Sequence, residues 1–356
     1  MKHRIATQVQ SWDSSAAGTK VLDLNMVTPI SRITIQMKAT NTDSTPDGHP
    51  AKMVSKIEVV DGSDVLLSLS GIECQALNYY DRGVMPHNVV NYVAAVQSIA
   101  TYHLDFGRQL WDEALALDPK KFKNLQLKIT YNDDSGGCSS TASTISVFAW
   151  LFDEEAITPR GFLMSKEQYT YTKVAAAHEY IELPTDYIIR KLLIQSLYTA
   201  KQPWEQYNKI KLSEDNDRRV VINDLRTSDL LKLYQPDKRV EEVLMVYDMD
   251  GAVVTYVCPT YDTVLVGLGM NAHDASMFST QSYGGTTTIT GDNTELSQWM
   301  VSGLAPHGAL CIPFGEQDKI EDWYDVAPIG SLLLDITAGA GAVGTIEIIT
   351  QQFRTY

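Results

Sequence analysis

The chain has 356 residues, of which 44% are hydrophobic and 21% charged, an ordinary globular composition with enough length for two domains. Its formal net charge is −15, and a surface this acidic repels phosphate. The charge therefore excludes wrapping of nucleic acid by the bulk of the chain and an electrostatic grip on anionic lipid. The one local exception is the start, where Lys2, His3 and Arg4 precede any acidic residue.

Targeting signals and cysteine motifs are missing from the sequence. The N-terminus has no apolar region of the secretory type, and no stretch approaches the roughly 18 apolar residues of a membrane span. The four cysteines lack the paired spacing of a zinc ribbon: Cys74, Cys138, Cys258 and Cys311. We therefore expect single thiols in a reducing cytoplasm, where the chain is synthesised.

Short strand patterns recur along the chain, whereas long amphipathic helical patterns are scarce. In Ile33–Lys38 and Leu125–Thr130 apolar and polar residues alternate, as they do in half-buried strands. The first half contains eight strand candidates: 20–27, 31–40, 54–60, 64–69, 89–98, 101–106, 122–131 and 143–152. Eight antiparallel strands in two sheets is the strand count of a jelly roll. Residues 1–10 precede the first candidate and lack an apolar pattern, so we expect them to become ordered only on assembly.

An internal repeat is the most informative feature. Arg32–Gln36 returns as Lys191–Gln195, and a helix-like stretch ending in tyrosine occurs at 72–80 and again at 225–234. Further matches follow in the same order: Lys56–Val59 with Lys209–Leu212, Val65–Leu67 with Val220–Ile222, Phe106-Gly107 with Phe314-Gly315, Leu125–Thr130 with Leu332–Thr337, and Thr144–Phe152 with Thr345–Phe353. The repeat predicts an all-β protein of two tandem eight-stranded antiparallel jelly rolls with short helices.

The repeat also predicts the domain limits: an N-terminal roll at 1–157, a connector at 158–164 and a C-terminal roll at 165–356. The second roll carries a large loop insert at about 236–307, which we expect to project from the outer face.

Within the insert, Val253–Val257 and Val264–Leu268 are expected to pair in a small sheet, and Ser279–Thr288 to be flexible and polar. Its large apolar residues would then need cover from adjacent subunits: Met270, Met277, Phe278 and Trp299.

One segment of the insert has the form of an enzyme motif. The apolar run Val243–Tyr247 leads into Asp248-Met249-Asp250-Gly251, which resembles the first motif of haloacid-dehalogenase-type phosphotransferases. That motif opens an α/β domain, whereas here another strand pattern follows at once. We therefore interpret Asp248 and Asp250 as the turn of a β-hairpin that binds no catalytic magnesium.

Other catalytic, cofactor and metal signatures are also missing. No G-x-S-x-G elbow or P-loop occurs, and the seven histidines lack metal-ligand spacing: His3, His49, His87, His103, His178, His273 and His307. The acidic runs Asp133-Asp134 and Glu214–Asp217 indicate solvated turns or, alternatively, a weak calcium site. The six tryptophans indicate core and interface anchors or, alternatively, a carbohydrate-binding face. We predict a protein that is not an enzyme, with no catalytic, cofactor-binding or metal-ligating residue.

Alternation also assigns the cores, because one face of each strand must be apolar. The first core is predicted to contain Ile33, Ile35, Leu125, Leu127 and Ile129, and the second Leu192, Ile194, Leu332, Leu334 and Ile336.

The tandem repeat, the run Tyr102–Arg108, the Leu117-Asp118-Pro119 segment and the strand Asn124–Asn132 together resemble one family. The chain is similar to the double jelly-roll major capsid proteins of tailless, membrane-containing icosahedral bacteriophages, in the lineage of the adenovirus hexon. The resemblance implies a homotrimer that forms a pseudo-hexagonal capsomer and tiles a shell over an internal lipid membrane. It implies contacts with other virion proteins, such as penton or spike, and a membrane contact through the N-terminus, without direct nucleic-acid binding. Its location would be the virion. The alternatives are a two-jelly-roll carbohydrate-active enzyme and a glycan-binding spike protein.

Overall fold

A computed structural model gives the structure of residues 2–154, 156–234, 236, 238–248, 251–270, 278–281, 284–291 and 295–356. Most elements within these ranges are strands. The α-helices are α1 (Gly71–Arg82), α2 (Pro203–Gln206) and α3 (Thr227–Leu233). Short 3₁₀ helices occupy Pro50–Met53, Pro119–Lys121, Asp133–Ser135 and Ile320–Asp322.

The first roll consists of two four-stranded antiparallel sheets. Nine strands lie in this part of the chain, and all but β6 belong to these two sheets: β1 (His3–Asp13), β2 (Gly18–Asp23), β3 (Ile30–Asn41), β4 (Val54–Asp61), β5 (Asp64–Leu69), β6 (Val90–Tyr92), β7 (Gln97–Asp105), β8 (Leu125–Tyr131) and β9 (Ser140–Phe152). One sheet has the order β1-β9-β3-β7 and the other β2-β8-β4-β5. Most neighbours within each sheet are distant in the chain, and this arrangement is that of a jelly roll.

The remaining strands form the second roll and its insert. They are β10 (Gly161–Thr172), β11 (His178–Leu183), β12 (Ile188–Gln195), β13 (Tyr207–Glu214), β14 (Arg219–Arg226), β15 (Val240–Asp248), β16 (Gly251–Tyr256), β17 (Pro259–Met270), β18 (Phe278–Gln281), β19 (Thr286–Gly291), β20 (Glu295–Pro306), β21 (Ala309–Pro313), β22 (Leu332–Ala338) and β23 (Thr345–Thr355). The sheets of the second roll have the orders β10-β23-β12-β21 and β11-β22-β13-β14.

These orders reproduce those of the first roll strand for strand. The register is the same as well: Ile33 lies opposite Ala149, and its counterpart Leu192 lies opposite Thr350. The predicted repeat is therefore confirmed as a structural repeat. The two rolls meet where β5 and β10 pair in parallel at Ser68 and Lys166, which joins one sheet of each roll into a single eight-stranded sheet.

The predicted cores are confirmed. The five residues assigned to the first core all belong to the first apolar cluster, and the five assigned to the second core all belong to the second. Each is buried, because strict alternation sends every second side chain of β3, β8, β12 and β22 between the sheets. In β12 both faces are buried, because Leu193 packs in the first apolar cluster while Leu192 and Ile194 face the second core.

Helix α1 begins with a capping box. The Ser70 hydroxyl accepts a hydrogen bond from the backbone N–H of Glu73, and the Glu73 carboxylate accepts one from the N–H of Ser70. The helix ends at Gly83, whose φ of 70° is a left-handed conformation that glycine adopts at low cost. Both ends of α1 are thus fixed by local sequence.

Two of the predicted strand limits in the first roll were wrong. The N-terminal segment is strand β1, which pairs with β9 from His3 onward, whereas the sequence showed no pattern there. The register of this pair shifts twice, between Thr7 and Val9 and between Val9 and Trp12, so alternation is interrupted and the strand is hidden from a period-two search. The candidate at 89–98 is instead the short β6 and the beginning of β7.

The insert is built of strands. Strand β15 pairs with β20, β20 pairs with β17, and β15 also pairs in parallel with β6 of the first roll. Strand β19 pairs with β16 and β18 in a separate sheet. The predicted pairing of Val253–Val257 with Val264–Leu268 was wrong, because these segments lie in different sheets. Alternation identifies a strand but does not identify its partner.

The β-hairpin predicted around Asp248 was also wrong. Strand β15 ends at Asp248 and β16 begins at Gly251, but the two strands belong to different sheets. Asp250 lies outside the described residues. The flexible segment predicted at 279–288 contains β18 and the start of β19, where Thr286 and Thr287 are buried.

The predicted cover of the insert's apolar residues by adjacent subunits was wrong for Trp299. Its side chain is buried within the chain itself, in an apolar cluster with Leu244 and Val246. The side chains of Met270, Met277 and Phe278 lie outside the described residues.

Candidate functional site: the roll junction and the open surfaces

Helix α1 of the first roll lies across the outer face of the second roll. The Tyr80 hydroxyl donates to the carbonyl oxygen of Ala309 at 2.9 Å, and the Lys191 ammonium donates to the carbonyl oxygen of Tyr80 at 2.9 Å. Around these bonds, apolar side chains of β12, β21 and β23 join the first apolar cluster: Leu193, Cys311 and Ile349. The two rolls therefore share a continuous apolar junction.

A buried charged network crosses this junction. The Asp81 carboxylate at the end of α1 accepts hydrogen bonds from Arg190 at 2.6 Å, from Lys191 at 2.5 Å and from the Gln351 amide at 3.1 Å. The Asp81, Arg190 and Lys191 side chains are at most 5% exposed. Burial by itself would raise the pKa of Asp81, but Lys191 and Arg190 lower it to about 2. The carboxylate is therefore ionised and fixes the rolls against each other.

A second polar contact holds the insert to the first roll. His49 Nδ1 accepts from the N–H of Ala51 at 3.1 Å, so Nε2 carries the proton and donates to the Glu242 carboxylate at 2.8 Å. The other oxygen of Glu242 accepts from the N–H of Cys258 at 2.9 Å. This contact adds to the pairing of β6 with β15, so two separate contacts hold the insert to the first roll.

The histidines form no metal centre within the described part of the chain. His307 lies with its ring centroid 4.8 Å from that of His49, and burial, together with His49 and Lys52, holds its pKa well below the ordinary value. The other described histidines are dispersed, for example His3 against Trp111 and His178 against Asp335. Among the described residues, no group of three or more histidine, cysteine or acidic side chains is placed to hold a metal ion.

The acidic runs serve as turns. The Asp133 carboxylate accepts from the N–H of Ala16 at 3.1 Å, and that of Asp215 accepts from the N–H groups of Gly330 and Ser331 at 2.9 and 3.1 Å. These carboxylates stabilise backbone turns, but Asp133 and Glu214 are only 2% and 8% exposed, so the prediction of solvated turns was wrong for these two residues.

All four cysteines and two of the six tryptophans are buried. None of the six tryptophans is largely exposed, and Trp299 and Trp323 are fully packed. All four cysteines are free and buried, and burial raises the pKa of each thiol. In the part of the chain that the structure describes, no helix has the length and apolar character needed to span a membrane.

Sequence reasoning missed two open apolar surfaces. The first, which we call the β14–α3 surface, contains Val220, Leu225 and Leu233, exposed by 39%, 41% and 69%. The second is a face of the insert sheet with Val243 and Val266, exposed by 44% and 46%, beside a groove of about 680 Å³. The apolar residues of β14 and β15 are visible in the sequence. Only the structure shows which of them lie on a face that nothing else in the described chain covers.

No protein-family model and no curated protein matches the chain. Solved structures match it over nearly its full length. The major capsid protein P2 of bacteriophage PM2 has a TM-score of 0.58 at 10% identity and covers 99% of this chain and 98% of its own. Vp54 of PBCV-1, fitted into a reconstruction of the virophage Sputnik, has 0.59 at 12% over 99% and 93%. A chain of Sulfolobus Turreted Icosahedral Virus has 0.60 at 12% over 100% and 91%. At these identities the likeness shows the fold, a double jelly roll.

Proposed function

We propose that this chain is a structural major capsid protein and not an enzyme. The observation that carries the proposal is the match over more than nine tenths of each length to capsid chains of bacteriophage PM2, STIV and PBCV-1. Three copies of a chain with two equivalent rolls present six similar units. Such a trimer is a pseudo-hexagonal tile that packs into an icosahedral shell.

The junction between the rolls supports this role. A tile must keep its two units at a fixed angle, and the Asp81 network with its surrounding apolar contacts provides that rigidity. The acidic surface, with a net charge of −15, suits a shell that does not touch the genome directly.

We place the chain in the virion after synthesis in the host cytoplasm, with an internal lipid membrane beneath the shell and penton or spike proteins as neighbours. Lys2 and Arg4 lie where β1 begins, with Arg4 paired to Asp153 at 2.7 Å, and this end of the first roll is the candidate membrane contact. We also propose the domain limits 1–157 and 165–356, with the insert at 236–307 on the outer face.

Light scattering on the purified chain tests the proposal. The expected mass is three times 39.6 kDa, and negative-stain images should show a six-lobed outline. A monomer at all accessible concentrations would overturn the proposal. A monomer that bound or cleaved oligosaccharides would support the carbohydrate-active alternative instead.

A further inference from the structure

We infer that each chain binds the next copy through a second version of its own internal junction. The β14–α3 surface of one copy covers the outer face of the β1-β9-β3-β7 sheet of the next. The inference rests on the proposed function, because it names the contact that builds the proposed trimer. Its basis is a comparison of equivalent positions in the two rolls, one of which is covered within the chain while the other is open.

The outer face of the second roll is covered within the chain itself. Register equivalence places Thr34, His103 and Phe148 of the first roll where the second roll has Leu193, Cys311 and Ile349. Those three second-roll residues are buried under α1 and belong to the first apolar cluster. Among the described residues no counterpart of α1 covers the corresponding face of the first roll, where Phe148 and His103 remain partly exposed.

The open face of the first roll is suited to burial. Trp150 lies beside Phe148 on it, and the indole N–H of Trp150 donates to the Thr34 hydroxyl at 2.9 Å. The same hydroxyl bonds His103 Nδ1 at 3.0 Å. These three polar groups are hydrogen-bonded to one another. Burying the face in an interface therefore breaks few hydrogen bonds to water and has a small cost in free energy. The two aromatic side chains are typical anchors of protein interfaces.

Helices α1 and α3 show the same contrast. Eight of the twelve residues of α1 are buried and none is fully exposed, because the helix lies between its own roll and the second roll. Helix α3 buries Leu230 and Leu231 against its own roll, but Asp229, Lys232 and Leu233 are exposed. Nothing within the described residues occupies the place that the second roll occupies over α1.

The edge strands complete the comparison. Leu66 of β5 is fully buried where β5 meets β10, whereas its equivalent in β14, Val221, is only partly buried and the neighbouring Val220 is 39% exposed. Strand β14 pairs with β13, and β1 pairs with β9, and both keep an open edge within the described structure. The parallel bridge of Ser68 with Lys166 predicts that Asn223 of one copy lies opposite Ala6 of the next.

The contact is head-to-tail, because the two surfaces differ. Each chain offers one of each kind, so copies add in one direction until the ring closes. The proposed trimer corresponds to closure after three copies.

Cross-linking of the full-length chain tests the contact. Ile5, next to Ala6 in β1, is 54% exposed and is therefore the accessible position for a cross-link. The variant pair Ile5→Cys and Asn223→Cys in one chain should give covalent dimers and trimers with a short bis-maleimide. The four native cysteines are buried and should not react. The matched control pair combines Ile5→Cys with Val174→Cys, since Val174 is 69% exposed but lies outside both surfaces. Light scattering on the same samples reports the trimer independently.

Substitution gives a second measurement. Leu233→Asp should weaken the trimer roughly tenfold or more while the thermal melting of the chain is unchanged. Val174→Asp, at the same 69% exposure, should leave the trimer intact. A trimer in which the control pair cross-links as readily as the inferred pair, or in which the inferred pair does not cross-link at all, overturns this contact and leaves the proposed function standing. A chain that is monomeric throughout overturns both.

Discussion

Replacing Asp81 by Asn tests the charged network between the rolls. The substitution keeps the shape of the side chain and removes its charge. Arg190 and Lys191, both 3% exposed, would then be buried without a counter-ion. Breaking a buried pair from one side costs roughly 3–5 kcal/mol, because the remaining charge is left uncompensated. In this protein the substitution leaves two buried cations, Arg190 and Lys191, without that counter-ion.

The pKa of Asp81 gives an independent magnitude. A folded pKa of about 2, against an ordinary value of 3.8, corresponds to about 2–3 kcal/mol of stability at neutral pH. The folded pKa is depressed, so this contribution is present above pH ~4 and is lost as the pH falls from about 4 towards 2. The difference between wild type and Asp81→Asn should therefore shrink over that acidic window.

The assay is urea unfolding of dissociated chains, followed by tryptophan fluorescence at neutral and acidic pH. The matched control is Asp64→Asn, whose carboxylate pairs with Arg354 but is 45% exposed. This control should lose only ~0.2–1 kcal/mol. A loss below ~1 kcal/mol for Asp81→Asn at pH 7, or a difference from wild type that does not change on acidification, would refute this account of the junction.

Three further outcomes are expected. Leu127→Ala and Leu334→Ala should each cost ~2–5 kcal/mol in unfolding free energy, and a loss below ~0.5 kcal/mol at both sites would contradict their fully buried positions. Glu242→Ala leaves the donors of His49 and Cys258 unpaired and should cost ~2–5 kcal/mol, with faster proteolysis of the insert than of the rolls; uniform proteolysis would contradict a local anchor. The native cysteines should react with a thiol reagent only on unfolding, and rapid labelling of the folded chain would contradict their burial.

The sequence was sufficient to predict the two cores. Alternation identifies the core face of β8 and β22, and in β12, which is buried on both faces, the repeat matches Leu192 and Ile194 to Ile33 and Ile35. The repeat extended this to topology, since equivalent segments recur in order. Strand β1 escaped detection because two register shifts break its alternation. Local sequence also does not encode the partner of a strand, which is why the pairing of β6 with β15 and the separation of β15 from β16 were not predicted.

The sequence of β12 contains one indication of the junction between the rolls. Strand β12 reads Ile188-Ile189-Arg190-Lys191-Leu192, and two cations inside an apolar strand require a buried counter-ion. The sequence offers many acidic candidates for that role, and only the structure identifies Asp81. The open surfaces were also beyond prediction, because exposure depends on which neighbours are absent.

The pairing of strands that are distant in the chain has consequences for synthesis on the ribosome. Strand β6 is translated about 150 residues before its partner β15, a delay of roughly 8–30 s at ordinary elongation rates. The last strand, β23, lies between β10 and β12, so the face that receives α1 is incomplete until residue 355 has left the exit tunnel. Nascent and prematurely terminated chains therefore lack the finished face, and translation itself limits assembly to chains that have been read through this strand.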